Sequence, residues 1–142
     1  MDYIVNKNTN FILFDGNNTC IYEINNNLLF KGNVINDILN ESCIYYGSTL
    51  KGRIVSCKKI INSYYKVPII ISEKNNLLFF YVNANNIIYW FNFLNIKEYY
   101  KYNNNLMVVF NNEFNLTLNI SYSVFHNQIL KCSRLLVIYN SR

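Results

Sequence analysis

The chain has 142 residues, 51% of them hydrophobic and 17% aromatic, which fits one globular domain and excludes a disordered chain. Formal net charge is +5, and it is unevenly spread: residues 1–46 carry two basic groups against five acids, and residues 47–142 carry eleven against three. That balance points to a polyanionic partner, nucleic acid or an anionic membrane surface, beside the plainer reading of an ordinary charge offset on a soluble protein.

Short apolar segments open the chain: Ile4-Val5, Phe11 to Phe14, Cys20 to Ile24 and Leu28 to Phe30. Asp15-Gly16-Asn17-Asn18 and Asn25 to Asn27 separate them, which predicts antiparallel hairpins. Asparagine runs are read as turns, because Asn tolerates the left-handed backbone and bonds locally. At residues 34–46 the period changes. Val34, Ile35, Ile38 and Leu39 recur at three and four, so a helix is predicted, with Gly47 as its C-terminal stop. Leu50, Ile54, Cys57 and Ile61 form the stripe of a second helix over 48–62, and Lys51, Lys58 and Lys59 lie off it. Arg53 flanks the apolar side, with either direction open. Pro68 ends this unit. Ile69 to Ile71, Leu77 to Val82, Ile87 to Phe93, Ile96 to Tyr102, Leu106 to Phe110 and Phe114 to Ile120 are strand-length and aromatic-rich. Ser121 or Ser123 caps a final helix reaching about Tyr139. Its predicted stripe is Phe125, Ile129, Cys132 and Leu136, with Asn127, Lys131 and Arg134 on the opposite face. The expected fold is a single α+β domain over residues 1–142, with antiparallel β-strands, a central helical segment and a C-terminal helix.

Enzymatic readings lack parts. The eight acids are scattered, His126 is the single histidine, and no nucleophile elbow, P-loop or dinucleotide fingerprint occurs. Cys20, Cys43, Cys57 and Cys132 have no metal-ligand spacing and read as buried reduced thiols, so no metal or cofactor is expected. Met1-Asp2 is not the basic start of a leader, and no apolar run approaches membrane-spanning length, so a cytoplasmic location is expected. Residues 47–66 hold Lys51, Arg53, Lys58, Lys59 and Lys66 with no acid among them, and Tyr64 and Tyr65 are interleaved. Two readings stay open: a phosphate-binding surface, or a solvated helix face with the tyrosines in the core. Lys131 with Arg134 is a smaller basic pair. Lys97 and Lys101 read as protection of a sheet edge.

The stretch Ser42-Cys43-Ile44-Tyr45-Tyr46-Gly47-Ser48-Thr49-Leu50-Lys51-Gly52-Arg53 resembles the signature of the ComK family of competence transcription factors. Lys66-Val67-Pro68-Ile69, Leu78-Phe79-Phe80, Trp90 and Ile120 to Gln128 resemble further family elements in the same order. Two positions depart from the pattern: Tyr81 stands where proline is expected, and Ile88 where cysteine is expected.

The resemblance implies an activator of DNA-uptake genes, localised to the nucleoid. It would bind paired A/T-rich boxes of double-stranded DNA through the minor groove and oligomerise there with copies of itself. The family does not identify the contact residues. The inferred DNA-binding set is Lys51, Arg53, Lys58, Lys59 and Lys66, with Lys131 and Arg134 secondary, and Gly47 and Gly52 permitting close backbone approach. A membrane partner is not expected. The chain stops at Arg142, short of the polar tail through which better-known relatives engage a proteolytic adaptor, which puts adaptor binding in doubt. The alternative reading is a shortened interaction module that pairs with another regulator without strong DNA binding of its own.

Overall fold

The computed structural model describes residues 3–142; Met1 and Asp2, on which the leader expectation rests, lie outside the described residues. Strands β1 (Thr9–Phe14), β2 (Asn18–Glu23) and β3 (Asn27–Lys31) form an antiparallel meander. Helices α1 (Ile35–Tyr45) and α2 (Leu50–Ile61) follow. Then β4 (Ile69–Ser72), β5 (Leu77–Ala84) and β6 (Ile87–Asn92) make a second meander. Strand β6 pairs antiparallel with β1, which fuses the two meanders into a six-stranded sheet of order β3-β2-β1-β6-β5-β4. After a 3-10 turn at Phe93–Asn95, strands β7 (Ile96–Tyr102), β8 (Asn105–Phe110) and β9 (Asn115–Leu118) form a separate three-stranded sheet. Helix α3 (Tyr122–Asn140) closes the chain. The fold is α+β, antiparallel, with central helices and a C-terminal helix, as the sequence predicts.

Strands β1, β4 and β5 are largely buried on both faces and read as apolar runs, whereas the edge strand β3 alternates exposed and half-buried residues. Ile12, Ile69, Ile71, Leu77 and Phe79 face α1 and pack with Ile35, Ile38, Leu39 and Cys43. Phe11, Ile70, Leu78, Phe80 and Phe91 face the other way and meet Val108 and Phe110 of β8 and Phe125, Cys132 and Leu135 of α3. Helix α2 serves both layers. Leu50 and Ile54 join the first, while Cys57 and Ile61 join the second. Asparagine makes the turns as its backbone chemistry predicts: Asn62, Asn76, Asn85, Asn86 and Asn103 all have positive φ.

Several expectations need correction. Ile4-Val5 is no strand but part of an irregular strap across α1. Val5 is fully buried; its N–H donates to Ser42 Oγ at 3.0 Å, and its carbonyl accepts from Tyr46 Oη at 2.9 Å. A side-chain acceptor on α1, Ser42 Oγ, and a side-chain donor at its C-cap, Tyr46 Oη, replace the strand neighbour that this short segment lacks. Strand β9 is shorter than Phe114 to Ile120, and Phe93 leaves its strand for the 3-10 turn. In α3 the fully packed positions are Phe125, Gln128, Cys132 and Leu135; Ile129 and Leu136 lie at the margin of that stripe and are half-buried. In β7 the register shifts between Ile96 and Glu98, so Lys97 sits at a bulge, where it pairs with Glu113 at 2.7 Å. Strand β7 is an edge of its sheet, and a bulged, charged edge discourages pairing with another chain.

Candidate nucleic-acid interface

The segment that carries the family resemblance builds a helix–helix corner. Gly47 has φ +97°, open to glycine without strain. Ser48 N–H donates to Cys43 O at 2.8 Å and Gly47 N–H to Ile44 O at 3.0 Å, a Schellman cap on α1. Leu50 N–H donates to Asn40 Oδ1 at 3.0 Å, tying the start of α2 to α1. Thr49 is the N-cap of α2 and accepts from Gly52 N–H at 3.0 Å. A Cβ on Gly52 would stand 3.1 Å from Thr49 Oγ1, so glycine there keeps room for the capping hydroxyl. Gly47 thus supplies a left-handed backbone, and Gly52 supplies the space of its missing side chain.

Arg53 turns inward. Its guanidinium donates to both carboxylate oxygens of Glu73 at 3.2 and 3.3 Å, and its side chain is only 12% exposed. The paired guanidinium holds the Glu73 carboxyl below its ordinary range. A depressed carboxylate stabilises the fold above its unfolded value and loses that contribution as pH falls through the folded value. Wild type should therefore exceed Glu73→Gln in thermal stability at neutral pH, by about 1 kcal/mol or less given the exposure of Glu73. The gap should close as pH drops below about 4. A gap that persists unchanged in acid would show that the ion pair is not its source.

The lysines divide by position. Lys51 and Lys58, two helical turns apart, share one flank of α2, opposite to the flank of Arg53. Lys51 lies in a shallow groove against α1 that also contains Asp37. Lys59 is exposed on the outer face. Lys58 and Lys59 fall in the last turn of α2, where cations are favoured by the helix dipole as well.

Beyond α2 the chain rises in a loop that presents Tyr64 and Tyr65, 72% and 61% exposed. The tyrosines are therefore surface groups, and the reading that places them in the core is excluded. Lys66 has φ +47°, a left-handed conformation that costs a non-glycine residue about 1–2 kcal/mol. The turn carries its ammonium to 5.1 Å from the Tyr65 ring centre and 5.2 Å from that of Tyr81. Helix α3 holds this loop from behind. Gln128 Nε2 donates to Lys66 O at 3.1 Å and to Tyr81 O at 2.7 Å, and Lys131 Nζ donates to Tyr65 O at 2.7 Å. Lys131 is thus turned to the loop rather than to the open face of α3, where Arg134 is exposed. The half-buried Tyr81 and Trp90, register partners on β5 and β6, meet edge-on at 5.7 Å and line the same groove.

The result is an open groove of about 420 Å³ between α2, the loop and the large sheet, with Lys58 and Lys66 in its wall and no acid lining it. Lys59 is exposed on α2 and does not line the groove, whereas the structure brings Lys66 and Lys131 to the Tyr65 ring and sets Lys58 in the same groove wall. It leaves Lys51, Arg53 and Arg134 apart. Sequence reasoning missed Tyr81 and Gln128 as parts of this surface. Strand alternation places Tyr81 opposite the buried Phe80 and Val82, which was the available signal for it.

Of the other titratable groups, the four cysteines are unpaired. Cys43, Cys57 and Cys132 are buried as expected, whereas Cys20 is only half-buried; desolvation raises all four thiols, that of Cys43 to about 11. Tyr99 Oη lies 2.6 Å from His126 Nδ1, fixing the histidine against β7. Among the described residues no helix is long and apolar enough to cross a membrane.

Fold and surface define a single α+β domain with a basic, aromatic face. The family model described as ComK protein matches residues 1–142. The chain belongs to the ComK family, a family of competence transcription factors rather than enzymes. No curated protein and no solved structure matches the chain.

Proposed function

We propose that this protein is a DNA-binding activator of late competence genes that recognises paired A/T-rich boxes through the minor groove, as an oligomer on cytoplasmic, nucleoid DNA. One observation carries the reading: Lys58 and Lys66 line a groove that holds the exposed Tyr64 and Tyr65 and no acid, and Lys131 of α3 reaches the Tyr65 ring from beside it. Clustered cations neutralise phosphates and release counterions. Narrow A-tract minor grooves concentrate negative potential and attract such cations. Lys58, Lys59 and Lys66 are the primary contacts of this reading. Lys51, Lys131 and Arg134 extend the surface, and Arg53 positions α2 through Glu73.

The engagement of Arg53 also favours a second reading. The single arginine of the acid-free segment is held by Glu73, which leaves that segment no free guanidinium to insert into a groove. A chain that pairs with another regulator and binds DNA weakly by itself fits that observation. Binding of the purified chain to A/T-box duplex and to G/C-rich duplex of equal length, at two salt concentrations, separates the two. Clear A/T preference with a steep salt dependence is expected. Absence of both favours the pairing module.

A further inference from the structure

Duplex DNA presents phosphates and groove edges, and its base faces are hidden in the stack. Lysines suffice for that partner, yet the groove holds more. Tyr64 and Tyr65 leave most of their surface in water, and Tyr81 and Trp90 line the wall beside them. Exposed aromatic clusters of this kind mark interaction sites. The cations are set against the rings: Lys66 Nζ lies about 5 Å from two ring centres and Lys131 Nζ lies 6.0 Å from Tyr65. A partner that satisfies rings and ammonium groups together has flat π faces joined by phosphates. Its volume fits as well, since about 420 Å³ lies within the range of small-ligand sites.

We infer that the groove binds unpaired nucleotides of single-stranded DNA, with bases stacked on Tyr64, Tyr65 and Trp90 and the backbone phosphates on Lys58 and Lys66. The inference rests on the reading that this surface contacts DNA, and it adds the strand state. Stacking on aromatic side chains within a basic groove is how single strands are held without sequence preference. Gln128 and Lys131 fix the loop backbone through carbonyl oxygens, so the tyrosine rings are presented by a braced main chain.

Trp90 is the sole tryptophan, so its emission reports on the groove directly. The full chain is titrated with a short oligothymidylate and separately with the A/T-box duplex, following Trp90 fluorescence and binding together. The single strand should quench Trp90. Tyr64→Ala and Tyr65→Ala should each weaken single-strand binding about tenfold, as loss of one base stack does, and weaken duplex binding by a clearly smaller factor. Tyr65→Ala keeps the carbonyl that accepts from Lys131, and Tyr64→Ala touches no hydrogen bond of the loop, so a fold loss in one is checked by the other. Single-strand binding with silent Trp90 emission, or binding indifferent to both tyrosines, would reduce the effect to phosphate attraction and overturn the inference. Equal quenching by vesicles of anionic phospholipid would overturn it too. If the duplex binds and the single strand does not, the inference falls while the proposed function stands. If neither binds, both fall.

Discussion

Replacing Lys58, Lys59 and Lys66 together by glutamine should lower duplex DNA affinity by up to about 500-fold at about 0.1 M salt. Counterion release sets the size of the loss. Each phosphate contact contributes about 0.9 to the slope of log affinity against log salt, or about eightfold in affinity at that concentration. Three contacts give about 2.7 in the slope. The loss should be uniform over A/T-rich and G/C-rich sequences, because phosphate contacts carry no base information. Glutamine keeps a polar side chain while removing the charge, and with it the ammonium–ring contacts of Lys66. Lys58 and Lys59 also complement the C-terminal end of α2, so a modest fall in melting temperature accompanies the change. A folded triple variant with unchanged affinity and slope would remove this surface from consideration. Lys51→Gln is the internal comparison. It lies in a groove with Asp37 and should change the affinity less than Lys58→Gln.

How far the sequence foretells this surface depends on the kind of information each residue carries. Local signals were readable. The period change after Asn33 located α1, the stripe Leu50, Ile54, Cys57, Ile61 located α2, and Ser121 is the cap of α3, accepting from Val124 N–H at 3.3 Å. Asparagine between apolar runs marked turns because its left-handed preference is a property of one residue. Direction of a long side chain was not readable. Arg53 had two options until Glu73, twenty residues on, closed against it. Gln128 belongs to the buried stripe of α3 only because Lys66 O and Tyr81 O wait for its amide from 62 and 47 residues away. A hydrophobic periodicity therefore passes over it and chooses Ile129 instead. Lys131 was displaced from the exposed face by the same loop. The resemblance to ComK pointed to the family, but the motif that carries it most densely proves to be an architectural corner. The basic groove lies at the far end of α2 and on the sheet, assembled from pieces that only the fold brings together.

That assembly makes α3 the structural support of the groove, and Phe125 is where α3 is fastened. Its ring is fully buried. It packs against Phe80 at 5.5 Å and Phe91 at 5.7 Å on the large sheet and against Tyr99 at 5.1 Å on the small one. Phe125→Ala should cost about 3–5 kcal/mol, from lost burial and the cavity left where three rings converge. Domains of this size are held by about 5–15 kcal/mol in all, so the variant should remain folded in the cold and melt far earlier, as followed by circular dichroism. The functional effect should exceed what unfolding accounts for. Gln128 and Lys131, one and two turns along, hold the carbonyls of Lys66, Tyr81 and Tyr65. A loosened α3 releases the loop, and the lysines lose the geometry that concentrates them. DNA affinity measured well below the melting transition should therefore fall while the salt slope, set by the number of lysines, stays steep. Phe125→Leu, which retains most of the volume, should recover both stability and affinity in large part. If Phe125→Ala lowers the melting temperature but leaves cold DNA affinity intact, the groove does not depend on α3, and Gln128 is a packing residue alone.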